Sequence, residues 1–458
     1  LGFHNLLIER GDIMKLLTFK KGIHPPYHKE ATNQKPIEVY MPQKELIFPM
    51  QQHIGSPCKP LVQRGEQVFV GQKIGEATSA VSAPIHSSVS GKVLAVEERL
   101  SHQGIKVMSV VVENDFKDEN HPTLKRSKNK DYKKLNRNEI IEIVKQAGLV
   151  GMGGAAFPTY IKLTPPEDKA VQYIIVNGAE CEPYLTSDHR VMLEESERII
   201  NGLKILLRVF PKAKVVIGVE DNKRDAFNKL AEAAKKQKRI SLKMLHTKYP
   251  QGSEKHLIYA LTNRQVPSGG LPIDVGCVVF NIDSVVAIWR AVTKGRPIMR
   301  RIVTVSGSGV KNPCNLKVRI GTSYRELLEY ANWDEENTVK IISGGPMMGQ
   351  AISNIDVPVT KGTAAILCFT KEDLPKGTIQ NCIRCGKCIE VCPMDLLPNV
   401  IQHNAIHYEY DQFTENNGMD CIECGCCSYI CPAKRELVQS IRTAKSEIRS
   451  RHNKGKEN

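Results

Sequence analysis

Two copies of one cysteine spacing constrain this chain more than anything else in it. Cys382, Cys385, Cys388 and Cys392-Pro393 read C-x2-C-x2-C-x3-C-P, and Cys421, Cys424, Cys427 and Cys431-Pro432 repeat the pattern. Three thiolates at that spacing wrap one face of a cubane, and the cysteine ahead of proline reaches across to the other cluster. The expectation is two interleaved [4Fe–4S] clusters, cluster 1 on Cys382, Cys385, Cys388 and Cys431, cluster 2 on Cys392, Cys421, Cys424 and Cys427. Zinc ribbons with four local ligands need neither the third internal cysteine nor the repeated Cys-Pro. Cys426 falls outside the spacing and reads as a bystander.

Eight of the 14 cysteines are used in this way, and without an export signal the rest are expected to be thiols. Cys58, Cys277, Cys314 and Cys368 read as small buried hydrophobes, while Cys181 has a more interesting neighbourhood. The first residues, 1–13, read as upstream sequence ahead of a natural start at Met14. A membrane span is not expected, because the best apolar stretch, 272–292, is broken by Asp274, Asn281, Asp283 and Arg290.

Sixty-four Lys and Arg against 49 Asp and Glu leave a net charge of +15, which suggests an anionic partner. Much of the excess lies in two unstructured-looking runs, 125–137 and 434–456, with few aromatics beside them. A stacking platform for nucleic acid is therefore disfavoured.

Residues 14–114 alternate short apolar strands with glycines and predict a small β domain of barrel-sandwich type. Its 75–86 stretch lacks the lysine a swinging arm needs, so a packing role is expected. A charged linker is expected at 115–136, an α/β domain at 137–298, a β-grasp-like module at 299–370, the ferredoxin-like α unit at 371–442 and a basic tail at 443–458. The fold class is thus multidomain, α/β and β.

Gly151-Met152-Gly153-Gly154-Ala155-Ala156 fits a dinucleotide fingerprint on paper, but a helix precedes it where that fingerprint needs a strand. The glycines can still let backbone N–H groups approach a phosphate, with Lys162 adding a point charge; a plain tight turn is the alternative. His24 and His28 are separated by Pro25 and Pro26, which oppose the helix that would align the rings; they and His189 read as structural.

The run from Gly151 to Thr159 with Lys162 resembles the flavin loop of the NADH-binding flavoprotein subunit of respiratory complex I. Asn177-Gly178-Ala179-Glu180-Cys181-Glu182-Pro183 is similar to that family's acidic loop, and Tyr249–Glu254 and Asn281–Ser284 to weaker blocks of it. Gly22-Ile23-His24-Pro25-Pro26, the barrel-sandwich domain and the doubled cysteine motif resemble the RnfC proteins of Rnf ion-translocating oxidoreductase (electron transport) complexes. The resemblance implies FMN held by Gly151, Gly153, Gly154, Lys162, Asn177, Glu180, Glu182 and Asn281, with NADH as substrate and no protein acid or base in catalysis. It also implies an SLBB assignment for the β-grasp-like module. The chain would then be a peripheral electron-input subunit on the cytoplasmic face of the membrane, partnered by the other members of an Rnf-type complex and docked through its basic tail. Met152, Ala179 and Phe280 depart from the flavoprotein pattern. A soluble flavin-dependent cobalamin reductase and a flavin-free electron-wiring adaptor are the rival readings.

Overall fold

A computed structural model of the chain describes residues 8–9, 12–13, 16–126, 131–374 and 377–454. At its centre lies a parallel sheet ordered Ile240–Leu245, Lys214–Glu220, Tyr173–Gly178, Cys277–Asn281. The inner strands are nearly continuous apolar runs because helices cover both faces, while the edge strand Ile240–Leu245 carries Ser241 and Lys243. One face packs on the helices Arg137–Gln146, Ser196–Val209 and Ile282–Lys294, the other on Glu254–Thr262. Gly202 sits where a Cβ would collide with the Val285 carbonyl, so the absence of a side chain lets the second and third of these helices close together. Two strands add outward on one side of Tyr173–Gly178, and Cys277–Asn281 then returns to its other side. The order therefore reverses between these two neighbours, which is where open α/β sheets leave a crevice for ligands. Asn177 pairs in register with Asn281 at that point.

The barrel-sandwich domain has a sheet ordered Glu45–Pro49, Lys106–Asn114, Gly91–Leu100, Gln67–Val68 and a smaller one of Lys59–Pro60, Lys73–Glu76 and Ile85–His86. Ser82, Ala83, Ile85 and His86 are buried, and the Pro84 carbonyl accepts a 2.6 Å bond from the buried Lys361. This stretch is packed against the rest of the molecule, as a packing role requires.

The β-grasp-like module builds a six-stranded sheet carrying the helix Tyr324–Tyr330, but its edge strand, Ile37–Val39, comes from far upstream. Leu17 likewise bridges to Leu245 and Ile23 to Tyr249. Residues 16–39 therefore reach sheet edges outside the barrel-sandwich sheets. Extended chain with unpaired backbone groups satisfies them on exposed sheet edges.

The expected 115–136 linker is also tied down. Ser90 Oγ donates to Asp115 at 2.6 Å, the Val70 N–H donates to Glu119 O, and Leu124 fills the space over Gly71. Tyr132 and Leu135 pack on the α/β core; residues 127–130 lie outside the described ones.

In the cysteine-rich unit the two motifs share one backbone path. Arg384 and Glu423 take φ of 55° and 57°, and Gly386 and Gly425 take 78° and 81°, each pair leading into a short helix, Lys387–Val391 or Cys426–Ile430. The run 434–456, expected to be unstructured, contains instead the helix Leu437–Lys454. Its Leu437, Ile441, Ala444 and Ile448 are buried. Apolar residues at helical spacing amid many cations bury one stripe and solvate the other, so a tail boundary at 443 cuts through a packed helix. Among the described residues no helix is long and apolar enough to cross a membrane.

Candidate functional site

The helix Arg137–Gln146 ends just before the glycine loop, which lies over the crevice at the sheet's reversal point. A Cβ on Gly153 would come within 2.6 Å of Asn281 Nδ2, so glycine permits the loop to rest on that side chain. A Cβ on Gly154 would meet nothing within 4 Å, and one on Gly151 nothing nearer than 3.8 Å. Gly151 N–H is spent on Phe157 O at 2.8 Å and Met152 N–H on Ser284 Oγ at 3.0 Å. Gly153, Gly154 and Ala155 are exposed, and among the described residues their N–H groups have no partner. Consecutive free N–H groups on an exposed loop form the concavity that a phosphate monoester needs. The loop's chemistry thus fits the FMN its sequence implies.

Arg301 holds the loop in place. Its guanidinium is 3% exposed and donates to Met152 O (2.9 Å), Asp283 Oδ2 (2.6 Å) and Thr363 O (3.0 Å). The Met152 side chain turns into the barrel-sandwich core beside Val150 and Ile320. An apolar residue there, where the flavoprotein pattern has arginine, follows from the extra domain packed against it.

Asn177 Nδ2 donates to Gly252 O at 2.8 Å, and Asn281 Oδ1 caps the helix Ile282–Lys294 while its Nδ2 donates to Asp188 at 2.5 Å. Asp188 is part-buried, and desolvation together with Glu180 and Asp283 nearby pushes its pKa up.

Three of the charges expected at the site have partners within the chain. Glu180 accepts from the N–H groups of Asp188 (2.6 Å) and His189 (3.2 Å), placing its charge at the N-terminus of the helix Ser187–Glu194. Glu182 accepts from Met347 N–H (3.0 Å) and Met348 N–H (2.9 Å), and burial raises its pKa to about 7. Both carboxylates accept from backbone N–H groups and shape the acidic loop. Lys162 donates to Val279 O at 2.9 Å and pairs with Glu254 at 3.2 Å. A sequence identifies these charges but not the backbone groups that reach them first.

Other residues escaped the sequence reading. Lys29 is fully buried and donates to the carbonyls of Glu180, Glu182 and Leu185 at 2.9, 2.9 and 2.5 Å; burial lowers its pKa to about 8. Lys223, 1% exposed, holds Ala179 O at 2.7 Å and Glu220 at 3.0 Å. Two buried ammonium groups therefore clamp the acidic loop. The available signals were the Gly22–Lys29 run and the glycine-rich Ser343–Gly349, whose Met347 meets Glu182. His28 stacks on Tyr184 at 4.8 Å, His24 faces His246 at 5.4 Å, and His189 bonds Asp225 at 2.8 Å.

The cysteines ring two separate cavities. One is lined by Cys382, Cys385, Cys388 and Cys431, the other by Cys392, Cys421, Cys424 and Cys427 with Cys426. Among the described residues no three His, Cys, Asp or Glu side chains converge as on a single metal ion; each cavity is lined by four of the motif cysteines. Burial raises the thiols of Cys392, Cys421 and Cys427 above their ordinary range, so they need a cationic group at the centre to ionise. The second cavity adjoins the acidic loop through a buried cluster of Ile23, Cys181, Tyr249, Cys424 and Cys426. Tyr249 OH donates to Cys424 O at 2.7 Å, and His256 bonds Pro393 O at 2.9 Å. The first cavity faces outward, with Cys382 and Cys385 exposed.

Four family models tile the chain: an RnfC barrel sandwich hybrid domain over residues 17–117, a Nuo51 FMN-binding domain over 144–290, an SLBB domain over 302–351 and a 4Fe-4S dicluster domain over 377–432. The RnfC protein of the Na(+)-translocating ferredoxin:NAD(+) oxidoreductase complex of Acetobacterium woodii is 48% identical over 96% of this chain and 98% of its own. The chain belongs to the RnfC family. The corresponding protein of the proton-translocating ferredoxin:NAD(+) oxidoreductase complex of Clostridium ljungdahlii is 46% identical over 95% of both chains. That of the ion-translocating oxidoreductase complex of Vibrio cholerae is 39% identical over 97% of this chain but 57% of its own length. The cofactor set of the family, FMN and two [4Fe–4S] clusters, matches the domains found along the chain.

Proposed function

We propose that the chain exchanges electrons between NADH and its iron–sulfur partners in the order crevice, second cavity, first cavity, surface. Supporting this order is the arrangement of the two cysteine-lined cavities, one walled against the acidic loop and one open to solvent. Gly153, Gly154 and Ala155 present N–H groups to the flavin phosphate, and Asn177 and Asn281 line the floor of the crevice. Glu180, Glu182, Lys29 and Lys223 keep the acidic loop in shape. FMN supplies the conversion of a two-electron hydride into single electrons that clusters can accept. The cluster ligands are the two cysteine sets named above, with Cys426 as wall.

As part of an ion-translocating oxidoreductase complex the chain works beside membrane partners, and peripheral contact on the cytoplasmic face is part of the proposal. The exposed cations of the helix Leu437–Lys454, such as Arg449, face outward while its apolar side covers the second cavity. Anaerobic purification with iron, sulfide and flavin counted together, followed by NADH titration, tests the reading. About eight irons and one flavin per chain are expected from two cubanes and one FMN. Protein with full iron but no flavin absorbance and no NADH-dependent bleaching would overturn it.

A further inference from the structure

Met152 and Asp283 each have a second face, turned to a cavity of about 710 Å³ between the α/β domain, the barrel-sandwich domain and the strands Arg300–Ser306 and Cys314–Arg319. Its walls carry Arg198, Arg290, Lys294, Arg296, Arg300 and Lys317 against one carboxylate, Asp283, which Arg301 already neutralises. Glu195 pairs with Arg198 and Arg290, and Arg296 donates to Asn120 at 3.0 Å. Among the described residues no salt bridge is formed by Arg300 or Lys317, although the carboxylates of Asp118 and Glu195 act on them from further off. Desolvation and the neighbouring Arg319, Arg290 and Arg296 outweigh Asp118 and lower the pKa of Arg300, and desolvation with Arg290, Arg300 and Arg198 outweighs Glu195 and lowers that of Lys317. Like charges gathered in a concave site raise each other's energy, and a multivalent anion relieves that cost. Trp289 forms part of the wall, with Arg198 at 5.2 Å and Lys294 at 5.7 Å over its ring. Volume, concavity and charge together suit a compact polyanion of nucleotide size.

We infer that this cavity is a binding site for a soluble ligand carrying a diphosphate, held by Arg300, Lys317 and Arg296. The site is separate from the crevice at the reversal point but shares the Met152–Arg301–Asp283 wall with the glycine loop. Diphosphate bound there therefore acts on the segment that cradles the flavin.

Full-length holoprotein carrying Trp333→Phe leaves Trp289 as the single indole reporter. Inorganic pyrophosphate should change its fluorescence saturably, with one site per chain. ADP should displace it, and Arg300→Ala with Lys317→Ala should weaken it by about tenfold or more, the scale of one lost charge-assisted hydrogen bond. The same double variant should melt higher than wild type without ligand, because repulsion is removed. Unchanged pyrophosphate affinity in the double variant overturns the inference. Displacement of pyrophosphate by phosphatidylglycerol vesicles but not by ADP overturns the assignment to a soluble ligand. A lower melting temperature with lost binding is resolved by Arg300→Gln alone, which keeps bulk: full affinity in that variant also overturns it.

Discussion

Arg301 is the residue whose loss should be felt furthest, because one buried guanidinium serves the glycine loop, the first turn of the helix Ile282–Lys294 and the β-grasp-like module together. Arg301→Ala strands the carboxylate of Asp283, 6% exposed, without its partner. Breaking a buried pair from one side costs about 3–5 kcal/mol. The carbonyls of Met152 and Thr363 lose donors as well, at roughly 1 kcal/mol each. For a unit of about 150–250 residues each kcal/mol moves the melting temperature by about 2–4 °C, so the total of about 5–7 kcal/mol predicts a fall of roughly 10–28 °C. The assay is heating of the flavin-loaded chain, with release of FMN read by its fluorescence. Pairing Arg301→Met with Asp283→Asn removes both charges and should recover about half the loss or more, since an apolar replacement of a whole buried pair is tolerated far better than half of one. A fall under about 3 °C for Arg301→Ala, or a double variant no better than the single one, would refute the reasoning.

Lys361 is fully buried against Pro84 O and Gly148 O, and burial lowers its pKa to about 7. The unfolded chain then binds more protons than the folded one between about pH 7 and 10.5, so this residue makes stability rise with pH across that window. Melting curves of Lys361→Met should show a shallower rise, or a steeper fall, than wild type over the same pH range; parallel profiles would exclude the mechanism. Cys388→Ala should lower iron by about one cluster, whereas Cys426→Ala should keep both, as iron and sulfide analysis will show. Truncation after Arg442 removes Ala444, Lys445 and Ile448 from the cover of the second cavity and should lose that cluster. Arg449→Glu, on the exposed side, should keep both clusters and weaken only salt-sensitive binding to anionic vesicles; loss of iron in that variant would show that the side chain is structural.

The truncation prediction shows where reading by composition fails. Residues 434–456 look like a solvated run because cations dominate, yet Lys445 is 4% exposed, with its ammonium on Cys421 O at 2.5 Å and on Glu423 at 3.0 Å. Charge counts say nothing of which cations meet partners. Glu182 and Lys162 teach the same lesson from the other side: their positions in family-like motifs suggested ligand contact, and the fold supplies each with backbone partners.

Cysteine spacing alone determined that two interleaved cluster sites were to be expected, because three ligands of each cubane come from one short, regular stretch of chain and the fourth is marked by its place ahead of proline in the other copy. The glycine loop, the alternation of strands and helices and the barrel-sandwich pattern were legible for the same reason, since each is a local periodicity. Tertiary structure decided the rest. It set the second cysteine cavity against the acidic loop and turned the first outward. It brought Lys29 across to residues 180–185 and Arg301 across to Met152, and it gathered cations from distant segments around one cavity. These contacts join residues far apart in the chain, and whether a buried charge is a ligand, a clamp or a strain depends on which backbone groups the folded chain delivers to it.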